Sequence, residues 1–151
     1  MKSNRQIINE LKELLELVND GKEGFATSSE ATDNIELQGL FLRFSAQRAL
    51  YANELTDHIE KHGGKVDNEK GDLMGALHRT WIDIKQALSS KEDKAILKAV
   101  LAGEGVALDR YNRLIADFDD HADHIQLLRT QRDGIVEAME SVYKMMSRQK
   151  S

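Results

Sequence analysis

Cysteine and proline are both absent from this 151-residue chain. Without cysteine there is no disulfide, no thiolate nucleophile and no zinc site built on sulfur. Without proline, no helix interior is broken by a missing N–H and a clashing ring. Long apolar runs are lacking too: none approaches the ~20 residues of a membrane span. The segment from Met1 to Arg5 leads into a mixed-charge amphipathic stretch rather than an apolar secretory core. The expected compartment is therefore the cytoplasm, with no membrane partner. An excess of positive charge is also missing, since 21 bases are interspersed among 26 acids for a formal net charge of −5. A phosphate-binding protein concentrates Lys and Arg on one face. The basic tail from Lys144 to Lys150 reads as cations placed near a helix C-terminus, so no nucleic-acid partner is expected.

What is present is apolar periodicity at helical spacing along almost the whole chain. A first helix near 4–30 opens on Ser3, with Gln6 at the capping-box position, and carries Ile8, Leu11, Leu15, Val18 and Phe25. A second, near 34–62, starts at Asp33 with Glu36 three residues on, and Gly63-Gly64 stops it. A shorter third helix near 72–88 has the seam Met74, Leu77, Trp81, Ile84 and Leu88. Ser90 with Asp93 opens a fourth near 91–116, which carries Ile96, Val100, Ala107, Tyr111 and Leu114. The fifth, near 120–147, carries Ile125, Leu128, Ile135, Met139, Val142 and Met146.

The lengths predict a topology. Four matched long helices and one shorter crossover form an all-α, ferritin-like four-helix bundle in which the second and fourth helices run parallel. Residues 1–151 are read as one such domain, large enough to bury about 70% of its unfolded surface. A diiron carboxylate bundle takes a Glu from each of two helices and a Glu-x-x-His pair from each of the others. Here the residues three before His58, His62, His78, His121 and His124 are Leu55, Ile59, Gly75, Phe118 and His121. The complete ligand set is missing.

Four elements carry a family likeness. They are Asn19-Asp20-Gly21-Lys22-Glu23-Gly24-Phe25; Gln47-Arg48-Ala49 with Glu54-Leu55; Gly75-Ala76-Leu77-His78-Arg79-Thr80-Trp81; and Glu104 with Ala107-Leu108 and Tyr111. Together, from about Ile7 to Met146, they resemble a bacterial domain-of-unknown-function family placed among the ferritin-like four-helix bundles. The resemblance implies a fold and no activity.

Three constellations remain. Gln47, Tyr51, Glu54 and His58 share one face of the second helix, and Glu104 sits on a stripe with Leu97, Leu101, Leu108 and Tyr111. A carboxylate facing an apolar interior must be paired or hold a cation. Glu54, His58 and Glu104 are thus candidate ligands for iron or manganese. The alternative is a hydrogen-bond network of Gln47, Glu54, Glu104 and the two Tyr hydroxyls that fixes helix register. Glu23 falls well round from the core side of its helix. The second constellation is histidine: His58 and His62 are four apart, and Asp120, His121 and His124 open the last helix at the same bundle end. Imidazole suits zinc, nickel and copper, giving an exposed, labile site as one reading and solvated surface residues as the other. The third is the crossover, where Leu77 and Trp81 anchor the seam, Gly75 permits close approach, and His78 and Arg79 flank it for a partner or second chain. No catalytic residue and no cofactor are expected. The reading is a structural or protein-interaction module, as a homo-oligomer or with a protein partner. Its rivals are a metal or redox protein with an unconventional carboxylate/His site and a binder of a small ligand between helices.

Overall fold

The computed structural model describes residues 2–66, 84–87, 89, 92–118 and 121–148. Among them there is no strand, and four long helices carry the architecture: α1 (Asn4–Ala31), α2 (Ile35–Lys61), α3 (Asp93–Asp117) and α4 (Ala122–Arg148). No helix is long and apolar enough to cross a membrane among the described residues.

The helix starts follow local chemistry. Ser3 caps α1 in a complete capping box: its side chain accepts from the Gln6 N–H, and the Gln6 side chain accepts from the Ser3 N–H. The cap of α2 differs from the expected Asp33. Asn34 takes that place, accepting from the Leu37 N–H while its amide donates to Asp93 at the start of α3. Asparagine offers an acceptor and a donor together, so one residue caps one helix and ties it to another. At α3 the expected opening residue, Ser90, lies outside the described residues; the helix begins at Asp93, with Glu92 as the cap residue and no side-chain cap hydrogen bond. Gly63 ends α2 with φ +89, the left-handed backbone that glycine adopts without steric cost.

Contacts between helices fix their directions. Asn4 donates to the His62 carbonyl and Ser45 to the Lys22 carbonyl, so α1 and α2 are antiparallel. Lys2 lies near Asp117 and Arg110 near Glu13, so α1 and α3 are antiparallel. Gln47 reaches Gly134 and His58 reaches His124, so α2 and α4 are antiparallel. That leaves α2 and α3 parallel, as the helix lengths predicted. Accordingly, α2 ends at the opposite end of the bundle from the start of α3.

The core falls into two apolar clusters, each drawing on all four helices. One holds Ile7 to Val18, Tyr51 to Ile59, Ala107 to Phe118 and Ile125 to Ile135. The other holds Phe25, Leu37 to Phe44, Ile96 to Val100 and Ala138 to Met145. Between them, at the level of Gly21, Arg48 and Glu104, the interior is polar. Most of the predicted crossover helix, including Gly75, Leu77, His78 and Trp81, lies outside the described residues. Within its predicted range, 84–87 are helical and Ile84 is buried.

Candidate functional site

Two polar assemblies stand out from the apolar bundle. The first is the layer between the two clusters. Glu104 is 2% exposed and Arg48 3%, and the guanidinium grips the carboxylate with both terminal nitrogens, Nη1 to Oε1 at 3.0 Å and Nη2 to Oε2 at 2.5 Å. A bidentate fork of this kind is the strong form of a charge-assisted bond. On the α1 side, Gly21 lies against Arg48, with Nη1 3.5 Å from where a Cβ would stand. The ring of Phe25, 5.4 Å from the guanidinium carbon, faces Arg48 as well.

Beside the ion pair runs a neutral network. Arg48 Nε donates to Gln47 Oε1, and the Gln47 amide donates to the Gly134 carbonyl at 3.1 Å. A side chain at Gly134 would run into the Tyr51 hydroxyl. The hub is Gln131, which is fully buried. Its amide donates to the Tyr51 carbonyl and to Glu54 Oε1, and its oxygen accepts from the Tyr111 hydroxyl at 2.6 Å. Burial pushes the pKa values of both Tyr51 and Tyr111 up, which keeps them as neutral donors. The expected network among Gln47, Glu54, Glu104 and the tyrosines is thus present in part. Its correction is that Glu104 reaches it only through Arg48, while Gln131 joins Glu54 to Tyr111.

Sequence reading passed over Arg48 and Gln131, though a signal existed. Arg48 falls on the buried seam Leu37, Phe41, Phe44, Tyr51 and Leu55 at intervals of three and four, and Gln131 falls likewise between Leu128 and Ile135. A long polar side chain on an unbroken apolar seam needs a buried partner.

The second assembly closes the bundle end where α2 stops and α4 starts. His58 and His62, one turn apart, pack at the foot of α2 with tilted rings, their centroids 4.6 Å apart. Asp123 and His124 come from the first turn of α4. His58 Nε2 lies 2.7 Å from His124 Nδ1, and His62 Nε2 lies 2.7 Å from Asp123 Oδ2. The latter contact is close but not aligned as a hydrogen bond, so His62 Nε2 is a buried nitrogen without a hydrogen-bond partner. One ligand-type atom from each of the four residues lies within 4.8 Å of the others. His121 packs 5.4 Å from His124, ring to ring, and Phe118 forms an apolar floor at 5.9 Å.

Burial sets the protonation here. His124 is buried and desolvation holds it down to about 4, with the neighbouring imidazoles acting the same way and Asp123 opposing. His58 is lowered by burial first and His62 second. Burial raises Asp123, but His124, its N–H, His62 and His58 together bring it below the ordinary carboxylate value. Both His58 and His124 are therefore neutral near pH 7.

Of the predicted ligands, only His58 joins this cluster; Glu54 and Glu104 belong to the interior layer and do not meet it. The histidines of α2 and α4 do converge as expected. The cluster is less exposed than expected, because His124 turns inward onto Phe118, and Asp123 supplies its carboxylate. Asp120 lies outside the described residues.

Residues 6–117 match the model of a family described as a domain of unknown function (DUF2383). The chain belongs to that family. No curated protein matches the chain. The span matched to the DUF2383 family contains Arg48, Glu104, Tyr51, Glu54, Tyr111, His58 and His62, so it holds the buried ion pair whole. Asp123, His124, Gln131 and Gly134 follow it on α4, which completes both the amide hub and the histidine cluster.

Proposed function

We propose that this DUF2383 protein is a ferritin-like bundle whose interior carries a structural lock in place of a dinuclear metal centre, and that it works as a structural or protein-interaction module. The observation that carries this is the engagement of Glu104, the only buried carboxylate among the described residues, by Arg48 through both oxygens. The guanidinium is a cation attached to the chain, sitting where an ion would otherwise have to neutralise the carboxylate. Glu54 is likewise engaged by Gln131. Iron and manganese titrations of tag-free protein test the reading. Saturable binding that disappears in Glu104→Gln would overturn it; the expected result is that no Fe(II) or Mn(II) binding depends on Glu104.

The outer face of α2 favours a second copy of this chain as the partner. Ile35, Leu42 and Leu50 are 82%, 57% and 54% exposed, and Gly39 and Ala46 lie between them on the same stripe at helical spacing. A Cβ placed on Gly39 would meet nothing within 4 Å, which leaves room for a helix to approach. The stripe is self-complementary, as a twofold interface requires: antiparallel copies that set Gly39 against Ala46 also set Ile35 against Leu50. Light scattering on a sizing column should show a dimer that Leu42→Asp converts to monomer with little change in the melt. A parent protein that is monomeric at every concentration removes this reading.

A further inference from the structure

The geometry points to a binding site for one divalent transition-metal ion of the zinc class, formed by His58, His62, Asp123 and His124. The site lies at the end of the bundle, away from the polar layer and independent of its role.

Four features carry the assignment. First, the donor count and type fit: three imidazole nitrogens and one carboxylate oxygen are the complement of a four-coordinate ion such as zinc, and imidazole-rich sets favour zinc, cobalt, nickel or copper over magnesium or calcium. Second, the spacing fits. Tetrahedral bonds of about 2.0–2.2 Å put ligand atoms roughly 3.3–3.5 Å apart. The His58–His124 and His62–Asp123 contacts are both 2.7 Å, and all four atoms lie within 4.8 Å of one another. Parting two contacts by a fraction of an ångström and drawing the others in is within side-chain rotation, with no helix displaced. Third, His62 Nε2 and His121 Nε2 are buried nitrogens that no hydrogen bond satisfies. Such atoms cost free energy unless something binds them, and the first of them faces into the cluster. Fourth, the positions are anchored. His58 and His62 occupy the same face of α2 by their four-residue spacing. The His62 carbonyl is tied to Asn4 on α1, and the Asp123 side chain accepts from the His124 N–H.

Burial grades the site from inside to outside. His124 is enclosed, His58 and His62 are half-buried, and Asp123 is 49% exposed. The carboxylate therefore faces the solvent side, so an ion enters past Asp123 and exchanges with the medium. A metal held there would staple the C-terminal turn of α2 to the first turn of α4, joining the two helical hairpins at one end.

The test uses full-length, tag-free protein stripped with EDTA. Co(II) serves as the spectroscopic probe, with Zn(II) as competitor and Mg(II) as control. The expected result is one Co(II) per chain with the intense visible bands of tetrahedral coordination, displaced by Zn(II) and indifferent to Mg(II), together with a rise in Tm. Asp123→Asn and His62→Gln alter partly exposed residues, so the fold should persist; each should weaken Co(II) binding by at least about tenfold and abolish the Tm rise. His124→Gln should do the same if it folds. Absence of saturable Co(II) binding, weak octahedral bands only, or variants that bind as tightly as the parent would each overturn the assignment.

Discussion

Replacing Glu104 by Gln keeps the shape of the side chain and removes the counter-charge of Arg48. The guanidinium would then sit 3% exposed, facing a neutral amide that accepts one of its two bonds and presents an N–H to the other. Removing one partner of a buried ion pair costs about 3–5 kcal/mol, because the remaining charge stays desolvated. Gln retains one acceptor, which points to the lower half of that range. Against a total stability of about 5–15 kcal/mol, the loss is large and readily seen in urea melts at pH 7. The corresponding double change, Arg48→Met with Glu104→Leu, should recover most of the loss or exceed the parent, since apolar replacement of a whole buried pair is often neutral or stabilising. A double-mutant cycle measures the coupling directly. A melt of Glu104→Gln within about 0.5 kcal/mol of the parent would refute the claim that Arg48 depends on this carboxylate. On sequence alone, Glu104 taken simply as a neutral hydrogen-bonding partner predicts that unchanged melt; the bidentate grip reverses the expectation.

At Gly134 the Tyr51 hydroxyl leaves no room for a methyl group, so Gly134→Ala should lose about 1–3 kcal/mol through forced repacking, whereas Gly105→Ala, at a glycine with nothing nearby, should gain some stability from helix propensity; paired denaturant melts decide. Asn34→Ala removes the cap of α2 and the bond to Asp93, and thermal melts should show a loss of about 1–2 kcal/mol. In EDTA, the folded chain holds His124 down at about 4 against about 6.5 when unfolded. The unfolded chain therefore binds the extra proton between those values, so stability is full above pH 6.5, falls toward pH 4 and levels below it. That contribution reaches at most about 3 kcal/mol, and urea melts at pH 7.5 and 4.5 should show it shrinking in His124→Gln; an unchanged difference in that variant would contradict the assignment.

The long helices were legible because nothing interrupts them: no proline intervenes, the apolar stripes are continuous, and Ser3 and Gly63 mark ends by local chemistry. The parallel relation of α2 and α3 was legible from helix lengths alone. The cap of α2 was misread by one residue, because Asp33 and Asn34 are both good caps and only the contact with Asp93 selects the second. In the polar layer, Glu104 attracted notice as an acid among apolar residues. Its partner did not, because Arg48 can equally place its head in solvent from a helix surface, and only the contact with Glu104 across the bundle shows it turned inward. Gln131 was hidden for a related reason: an amide on a seam carries no charge to flag it. The histidine cluster was half legible, since spacing paired His58 with His62 and topology brought α4 to them. Which acid joins depends on how the first turn of α4 faces α2, and no spacing rule gives that.

The Arg48–Glu104 pair also bears on the order of events in folding. Its two residues stand 56 positions apart and belong to different helical hairpins, so neither hairpin can satisfy its own charge. Slipping one helix by a single turn, about 5.4 Å, would bury both groups apart, at a cost of about 3–5 kcal/mol added to the loss of apolar contact. Each hairpin alone must keep that residue hydrated, and water leaves the layer only when the two halves meet in register. Docking is then the step that commits the chain, and helix content and tyrosine environment should disappear together in a single transition.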